Sequence, residues 1–449
     1  MKVIVEQKPD EAVHELTKLE IKVSGIDPRF ILDLDFSAIV DRSRQPNSRT
    51  LDFLVISAVT YAVDKIVRRD TTTDRWKRTL DVTVPVSAPA SWRNAAASLS
   101  ETVSFLTGDV WTFRFAQAAA SFQKRRANRR KSAIGFPRSP VISLLSGGVD
   151  SFVAAIDLLA EYPDQQLLFV SHYDRHVKGP AKDQSEISTF LSQRFPSRVS
   201  HLQVRVGTVP AEGEKHSFEI SFRSRSLIFL GLAVYAASKI GDDTPIIIPE
   251  NGPISLNMPL NPSRRGACST RTVHPFFLRS LRNTLSEAGI NHPIRNPYEF
   301  KTKGELITDC RDLQVFLEAL SKTNSCAKAA RRMHWKNRKA RACGACVACL
   351  FRRASLHAIG QDSELFGHDV FRGQPQAYPD FHALLGLIAT KPTDRDIARS
   401  LIANGRLPLK QIDAYVGVIR RMIDEVVRWV SDKGSSKTKS LARISKRQR

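Results

Sequence analysis

The chain has 449 residues and a formal net charge of +23, since it contains 68 Lys and Arg residues and 45 Asp and Glu residues. With 42% hydrophobic and 25% charged residues it has a globular composition, which excludes collagen-like, disordered and membrane-spanning classes. The longest apolar run, residues 227–237, is shorter than the ~20 residues that cross a bilayer. The length suggests roughly two to four domains, and the polar start suggests a cytoplasmic protein with reduced cysteines.

Residues 1–138 combine short strand-like runs with one long helical pattern. The runs cover residues 19–23, 80–86 and 110–115, and in residues 51–69 apolar side chains recur at every third or fourth position. That spacing predicts a helix with one apolar face. We therefore expect an α+β accessory domain in this part of the chain.

Residues 139–322 alternate between apolar strands and helices. The predicted strands are residues 141–145, 167–173, 201–206 and 245–252, and the predicted helices are residues 149–162 and 225–240. Continuous apolar strands separated by helices indicate a parallel sheet covered on both faces. The predicted fold class is therefore α/β, with a Rossmann-like parallel-sheet core.

Two further stretches follow this core. Residues 323–360 contain most of the cysteines, and residues 361–449 form a region of helical patterns with an amphipathic helix at 412–430. Residues 433–449 carry seven basic and no acidic side chains. We expect this tail to be disordered.

A glycine-serine motif joins the first predicted core strand to its helix. It consists of Ser146, Gly147, Gly148, Val149, Asp150 and Ser151. Two glycines allow a tight turn close to an oxyanion, and a helix N-terminus offers free N–H groups and the positive end of its dipole. The carboxylate of Asp150 would cap the helix or help to hold the Mg²⁺ that accompanies a nucleotide. An ordinary strand-to-helix turn is the alternative interpretation.

This motif resembles the signature of the PP-loop ATP pyrophosphatases, whose core is of the adenine nucleotide alpha hydrolase type. The resemblance implies that the loop holds the β,γ-pyrophosphate of ATP and leaves the α-phosphate open to attack by a substrate oxygen. Members of this superfamily act on carboxylates, carbonyls and tRNA bases, so the motif does not define the substrate.

Four cysteines have the spacing of a metal site. Cys343, Cys346 and Cys349 are separated by two residues each, and Cys326 lies 17 residues before the first of them. Four thiolates suit tetrahedral Zn²⁺ in a closed, structural site. An iron–sulfur cluster and unligated core cysteines are the alternatives. The other two cysteines lack partners by spacing, and we expect them to be buried.

The order of the glycine-serine motif, a single cysteine and then three cysteines resembles the QueC family of 7-cyano-7-deazaguanine synthases over residues 140–355. Residues 173–176, 225–230 and 301–305 are similar to that family's Tyr-Gly-Gln-Arg-His, Arg-Asn-x-x-Phe-Leu and Lys-Thr-Lys-Ala-Glu segments. Asp174 and Ser226 replace a glycine and an asparagine of those segments. With its extra segments the chain is more similar to the QueC-like proteins of bacterial anti-phage defence, the group of the Qat system.

The resemblance implies an ATP-dependent reaction with Mg²⁺, in which a deazaguanine carboxylate is adenylated and an amine then displaces AMP. Ammonia or a protein amine would be the acceptor, and a second dehydration would give a nitrile. The candidate catalytic residues are Asp150, Arg225, Lys301 and Lys303. Tyr173, Glu250 and Asn251 are candidates for nucleotide or substrate binding. Surface cations and an Asn-Gly turn are the plain alternatives for these positions.

The positive charge invites a nucleic-acid interpretation, but it is localised. Residues 124–131, 327–341 and 433–449 contain twenty basic and no acidic residues, so the rest of the chain is nearly neutral. Nucleic acid is therefore an optional partner. We expect a small deazaguanine substrate and a protein partner from a defence operon, and no membrane. A tRNA-modifying enzyme and a non-catalytic binding module are the rival functions.

Overall fold

The computed structural model describes residues 1–8, 18–35, 47–119, 137–177, 179–261, 268 and 271–444. Within these ranges the strands are β1 (Lys2–Lys8), β2 (Lys18–Val23), β3 (Ile26–Leu34), β4 (Thr79–Val86), β5 (Val110–Gln117), β6 (Ile142–Leu144), β7 (Leu167–Tyr173), β8 (Val199–Pro210), β9 (Ile246–Ile247) and β10 (Ile294–Arg295). They form one sheet in the order β10-β9-β6-β7-β8-β3-β2-β1-β4-β5. The predicted α/β class is confirmed.

The helices cover the sheet and build the C-terminal region. They are α1 (Ser48–Ile66), α2 (Pro89–Asn94), α3 (Ala96–Thr107), α4 (Val149–Glu161), α5 (Pro180–Arg194), α6 (Arg225–Ile240), α7 (Gly252–Ser255), α8 (Pro275–Glu287), α9 (Lys303–Thr308), α10 (Leu313–Ala319), α11 (Val347–Ala358), α12 (Pro379–Thr390), α13 (Asp394–Asn404), α14 (Ile412–Lys433) and α15 (Ser436–Leu441). None of the helices in the described part of the chain is long and apolar enough to cross a membrane.

The sheet is mostly parallel, with an antiparallel centre. All neighbouring strands from β10 to β8 run parallel, as do β1, β4 and β5. The pairings β8-β3, β3-β2 and β2-β1 are antiparallel. Between β3 and β8 the register runs from Phe30 opposite Pro210 to Leu34 opposite Val206. Strands from before and after residue 138 therefore belong to one sheet, and the domain limits at 138, 322 and 360 stay predictions.

Both faces of the parallel half are buried, as its continuous apolar strands predicted. Along β7, Leu168 and Val170 belong to the core on one face, whereas Leu167 and Phe169 belong to the core on the other. Successive strand residues point to opposite faces, so a strand covered on both sides needs apolar residues throughout. The first face is covered by α1 and α6, and the second includes residues of α4, α5 and α10.

Helix α1 is buried on every side rather than on one face, which corrects the sequence prediction. Its residues from Thr50 to Ile66 are all buried, including two aspartates. It packs against α6 so closely that a Cβ on Gly231 would lie 2.8 Å from the Cβ of Ser57. The carboxylate of Asp52 accepts hydrogen bonds from the backbone of Ser87 and Ala88 at 2.7 and 2.9 Å. These bonds satisfy Asp52 inside the core, whereas the buried hydroxyl of Ser57 has no hydrogen-bond partner among the described residues.

A buried ionic cluster ties α1 to the start of α6. Asp64 and Asp109 both pair with Arg69 and Arg78, at 2.5 to 2.8 Å. Burial acts to raise the pKa of Asp64, but the two guanidinium groups outweigh it and hold this pKa well below its usual range. The same carboxylate accepts the hydroxyl of Ser224 at 2.7 Å. The cluster therefore fixes the N-terminal end of α6, where Arg225 stands.

The C-terminal region is helical, as predicted, and has its own apolar core around α14. The expected disorder of the tail is wrong for its first part. Helix α15 continues the chain after α14, Ala442 is buried, and Ile444 packs against the same core. Apolar residues between the basic ones make this packing possible. Residues 445–449 and the basic segment 124–131 lie outside the described residues.

Candidate functional site

The glycine-serine loop has a backbone that only glycine adopts without strain. Strand β6 ends at Leu144 and α4 begins at Val149. Gly147 has a φ of +90°, and a Cβ there would lie 3.1 Å from the Cβ of Asp183. Gly148 is the N-cap, and no side chain caps the helix from that position. The loop therefore places two residues without side chains at a helix N-terminus, and this arrangement favours the binding of anions.

The two serines of the loop have different roles. The buried hydroxyl of Ser151 accepts from the backbone of Ser146 at 3.2 Å and donates to the carbonyl of Gly148 at 3.1 Å, so it holds the turn. The hydroxyl of Ser146 is exposed and accepts from the N–H of Gly148 at 3.3 Å. Val149 contributes only its backbone, because its side chain is in the core. The two hydroxyls lie 3.1 Å apart, within hydrogen-bond distance, and Ser146 is the more exposed residue of the two.

Asp150 is the centre of a buried polar cluster. It is not the N-cap, which corrects one of its two predicted roles, and it is only 6% exposed. Its carboxylate forms an ion pair with the ammonium group of Lys303. It also accepts the backbone and side-chain N–H groups of Asn251 at 3.0 and 2.6 Å. Three of the predicted site residues, from three different loops, therefore meet.

Glu250 completes this cluster, and its protonation differs from that of Asp150. Burial raises the pKa of Glu250, and the negative charge of Asp150 raises it further, to well above the usual range. Burial acts in the same direction on Asp150, but Lys303 outweighs it and keeps that pKa below its usual value. The two carboxyl groups are therefore shifted in opposite directions, and Glu250 holds its proton to a higher pH than Asp150 does. A neutral acid can both donate and accept a hydrogen bond.

The loops after β9 and β10 hold these side chains in place. Asn251 is the N-cap of α7 and accepts the N–H of Ile254 at 3.2 Å, so its amide serves both the turn and the cluster. Asn296 donates to the carbonyl of Glu250 at 2.8 Å. The N–H of Gly252 donates to the carbonyl of Lys301 at 2.8 Å. The two loops are thereby bonded to each other beside the glycine-serine loop.

Lys301 lies outside the cluster. Its ammonium pairs with Asp309 at 3.0 Å, and the two side chains are 38% and 54% exposed. Thr302 is the N-cap of α9, and it forms a capping box with Glu305. This places Lys303 in the first helical turn, directed into the protein, and Lys301 outside the helix. The structure thus assigns different surroundings to the two predicted lysines.

Arg225 and Tyr173 lie near the carboxyl ends of β7 and β8. The guanidinium of Arg225 is half-buried and makes no hydrogen bond or ion pair with a described residue. Burial lowers its pKa, while the negative charge of Asp174 acts in the opposite direction. Tyr61 donates to Asp174 at 2.9 Å in the core. Tyr173 ends β7 and is half-buried. The arrangement leaves a cation ready for an anionic group.

His172 lies beside this cation without charge. Its ring is edge-on to Tyr61 and Phe229, at centroid distances of 5.0 and 5.5 Å. Burial lowers the pKa of His172 to about 3, and the positive charge of Arg225 lowers it in the same direction. The histidine is therefore neutral at physiological pH and adds no competing charge.

The four predicted metal ligands come together. The Sγ atoms of Cys326, Cys343, Cys346 and Cys349 all lie within 4.8 Å of one another. The sulfurs of Cys343 and Cys349 are 3.8 Å apart, close to the ~3.8 Å that tetrahedral ligation at a Zn–S distance of ~2.3 Å requires. Backbone N–H groups also point at the sulfur of Cys343, at 3.3 and 3.4 Å. The residues fit a single metal ion.

The turn within this cluster again requires glycine. Gly344 has a φ of +76°, and a Cβ there would lie 2.6 Å from the Cβ of Phe366 and 2.7 Å from the carbonyl of His368. Cys268 and Cys310 are buried outside the cluster, as the sequence predicted.

A cavity of about 260 Å³ lies next to the cysteine cluster. Its walls come from α7, α11, α12, α14 and the cysteine segment, and they are mostly apolar. Pro253, Phe351 and Met422 separate it from Asn251 and Lys303, since they line both this cavity and a smaller cleft at those two residues. None of the residues that line the cavity belongs to the glycine-serine loop.

Sequence reasoning missed several residues that contact the predicted ones. Asp183, Asn324 and Ser325 touch the glycine-serine loop, and Tyr61 is bonded to Asp174. They are distant in sequence from the residues that they contact, and no spacing relates them. The capping-box pattern at 302–305 is a usable signal in the sequence, because it places one predicted lysine ahead of the helix and the other in its first turn.

These features define an α/β protein with a mostly parallel sheet, polar and charged residues at the carboxyl ends of its parallel strands, and four clustered cysteines suited to a metal ion. No protein-family model, no curated protein and no solved structure matches the chain.

Proposed function

We propose that this chain is an ATP-dependent ligase of the PP-loop type, which adenylates the carboxylate of a 7-deazaguanine. The loop at 146–151 carries the proposal, because it places glycine backbone at a helix N-terminus that its N-cap residue does not cap, beside a charged cluster. Ligands of open α/β sheets bind at the carboxyl ends of the strands, and the candidate residues follow five adjacent parallel strands there. The QueC-like resemblance supplies the substrate class.

The proposed reaction has two steps. A carboxylate oxygen of the substrate forms a bond to the α-phosphorus of ATP, and the bond to the bridging oxygen breaks to release pyrophosphate. An amine nitrogen then bonds to the acyl carbon, loses a proton and displaces AMP, which leaves an amide. With ammonia as the amine, a second ATP-dependent dehydration would give the nitrile. In a defence setting a protein amine is the other candidate acceptor.

The side chains divide this work. The first-turn N–H groups and the hydroxyl of Ser146 would bind the pyrophosphate. Arg225 would bind the substrate carboxylate, because its half-buried guanidinium follows β8 beside the predicted site and makes no ion pair with a described residue. Glu250, whose pKa is raised, and the amide of Asn251 would bond the guanine-like edge of the base, which offers both donors and acceptors. Mg²⁺ bound with ATP would offset charge on the phosphates.

Zinc is the metal that we propose for the four cysteines. Four thiolates within 4.8 Å of one another would complete its coordination and leave no open position for a substrate. The ion would then have a structural role, and the chemistry would take place at the other cluster.

A second candidate function is the modification of an RNA base. It is favoured by the segment between Cys326 and Cys343, which carries seven basic and no acidic residues and is largely exposed. Lysines and arginines on such a surface neutralise backbone phosphates. The first step would still be adenylation, but on RNA.

Release of pyrophosphate tests the proposal. The full chain is incubated with ATP, Mg²⁺ and 7-carboxy-7-deazaguanine, and AMP and pyrophosphate are measured with and without RNA. We expect release without RNA, a loss of at least about 100-fold in Lys303→Ala, and wild-type rates in Lys410→Ala, an exposed lysine away from the site. Release only with tRNA would support the second function instead.

A further inference from the structure

The cysteine segment touches the glycine-serine loop directly. The N–H of Asn324 donates to the carbonyl of Gly147 at 2.8 Å. The next residue, Ser325, accepts the N–H of Val149 through its hydroxyl at 3.4 Å. Cys326, a predicted metal ligand, follows immediately. Two consecutive residues thus link the loop to the first cysteine.

The cysteine segment has two limbs that meet at the cysteines: residues 324–326 form the first limb and residues 341–349 form the second. The second limb also contacts the surroundings of the loop. Arg341 stands two residues before Cys343, and its guanidinium pairs with Asp183 at 2.6 Å and with Glu186 at 2.8 Å. Asp183 is the residue that a Cβ on Gly147 would contact. The side chain of Asn324 donates to the same aspartate at 3.1 Å. Both limbs therefore converge on the residue that lies against the tight turn of the loop.

The two limbs are joined at the cysteines. Cys326 belongs to the first limb, whereas the other three cysteines belong to the second. Between the limbs, Asn324 donates to the carbonyl of Arg341 and the N–H of Cys343 donates to the sulfur of Cys326, both at 3.3 Å. Next to the first limb, Arg341 also donates to the carbonyls of Ser321 and Lys322 at 3.2 and 3.3 Å, and Arg352 donates to the hydroxyl of Thr323 at 2.7 Å. A metal ion would add four strong bonds across this junction.

We propose that the metal at the four cysteines fixes the conformation of the glycine-serine loop, with Asn324, Ser325 and Arg341 as positioning residues. Metal occupancy then sets the affinity of the loop for the pyrophosphate group. Six positive charges lie between Cys326 and Arg341, one of them paired with Asp380, and their mutual repulsion separates the limbs when the thiolates lose their ion. The part of the proposal that concerns pyrophosphate rests on the proposed function, but the coupling of metal and loop does not.

Hydrogen exchange tests the coupling without any nucleotide. The full chain is compared with and without its metal, and exchange is followed at the amides of residues 145–151 and, as a reference, of α14. Removal of the metal should speed exchange in the loop by about tenfold or more, while the middle of α14 keeps its protection. Unchanged exchange in the loop of the metal-free protein would overturn the proposal.

Metal-loaded variants test the positioning residues. Arg341→Gln and Asn324→Ala remove the two contacts with Asp183, and Lys339→Ala removes one exposed charge from the same segment as a matched control. All three should retain one zinc per chain. Pyrophosphate binding, measured by calorimetry, should weaken about 5- to 20-fold in the first two and stay unchanged in the control.

These variants decide the question even where removal of the metal unfolds the whole chain. Binding by Arg341→Gln and Asn324→Ala equal to that of the control would overturn the proposal. Metal-dependent exchange in a wild-type protein that binds no pyrophosphate would support the coupling and refute the proposed function, so the two failures are distinguishable.

Discussion

The ion pair between Lys303 and Asp150 makes a sharp prediction for stability. Lys303→Met keeps the length of the side chain but leaves a buried carboxylate without its cation, since both side chains are less than 10% exposed. Breaking one partner of a buried pair costs about 3–5 kcal/mol. We expect the free energy of unfolding to fall by about that amount at neutral pH.

The loss should depend on pH in a defined direction. In the wild type the pKa of Asp150 lies below its usual value, so the ion pair stabilises the fold fully at every pH above the usual pKa of an aspartate. Without Lys303 burial dominates and raises this pKa. A carboxyl group with a raised pKa costs stability as the pH increases, because the unfolded chain ionises first. The difference between variant and wild type should therefore be larger at about pH 8 than at about pH 5.5.

Urea unfolding followed by circular dichroism gives the required free energies. Lys301→Met is the matched control, because the pair that it breaks is exposed and should contribute less than about 1 kcal/mol. A deficit in Lys303→Met no larger than that of the control would refute the reasoning. So would a deficit that shrinks as the pH rises.

Three further predictions concern the same features. Gly147→Ala should abolish pyrophosphate binding and lower the free energy of unfolding by about 1–2 kcal/mol, because the φ of residue 147 is +90°. Gly148→Ala should fold normally, and calorimetry and thermal unfolding would compare the two variants. Cys343→Ser should lose most of the bound zinc and Cys310→Ser should keep it, as metal analysis of the purified proteins would show; equal zinc in both would disprove the assigned ligands. Glu250→Gln removes a carboxyl group whose pKa is raised, so the stability of this variant relative to the wild type should increase between about pH 5.5 and pH 8. A difference in unfolding free energy that stays constant with pH would show that Glu250 is ionised throughout.

The sequence was most informative where the signal is local. The apolar runs predicted β7 and α6 to the residue, because a strand or helix buried on all sides is apolar throughout its length. The strand predicted at 245–252 is much shorter in the structure, where β9 covers only Ile246–Ile247. Prolines on both sides of its apolar residues limit the ladder there.

The pairing of strands that are far apart in the chain could not be predicted from the sequence. Nothing in β3 or β8 indicates that they pair, because antiparallel partners far apart in the chain carry no register signal of their own. The polar residues of α1 suggested a solvent-facing side for the same reason, since the partners of Asp52 and Asp64 come from later elements. In the site, the motif and strand ends identified Asp150, Asn251 and Lys303, but their contacts follow from how the loops meet.

The antiparallel junction between β3 and β8 has a consequence for how this chain can be divided. A protein shortened to begin at residue 139 would lose the neighbour of β8 and expose a row of unpaired N–H and C=O groups from Val206 to Pro210. It would also uncover the face of α6 that packs on α1, including Gly231. An open strand edge beside bare apolar surface promotes aggregation. The N-terminal segment is therefore an integral part of the folded core, and the chain cannot be shortened at residue 139 without exposing that core.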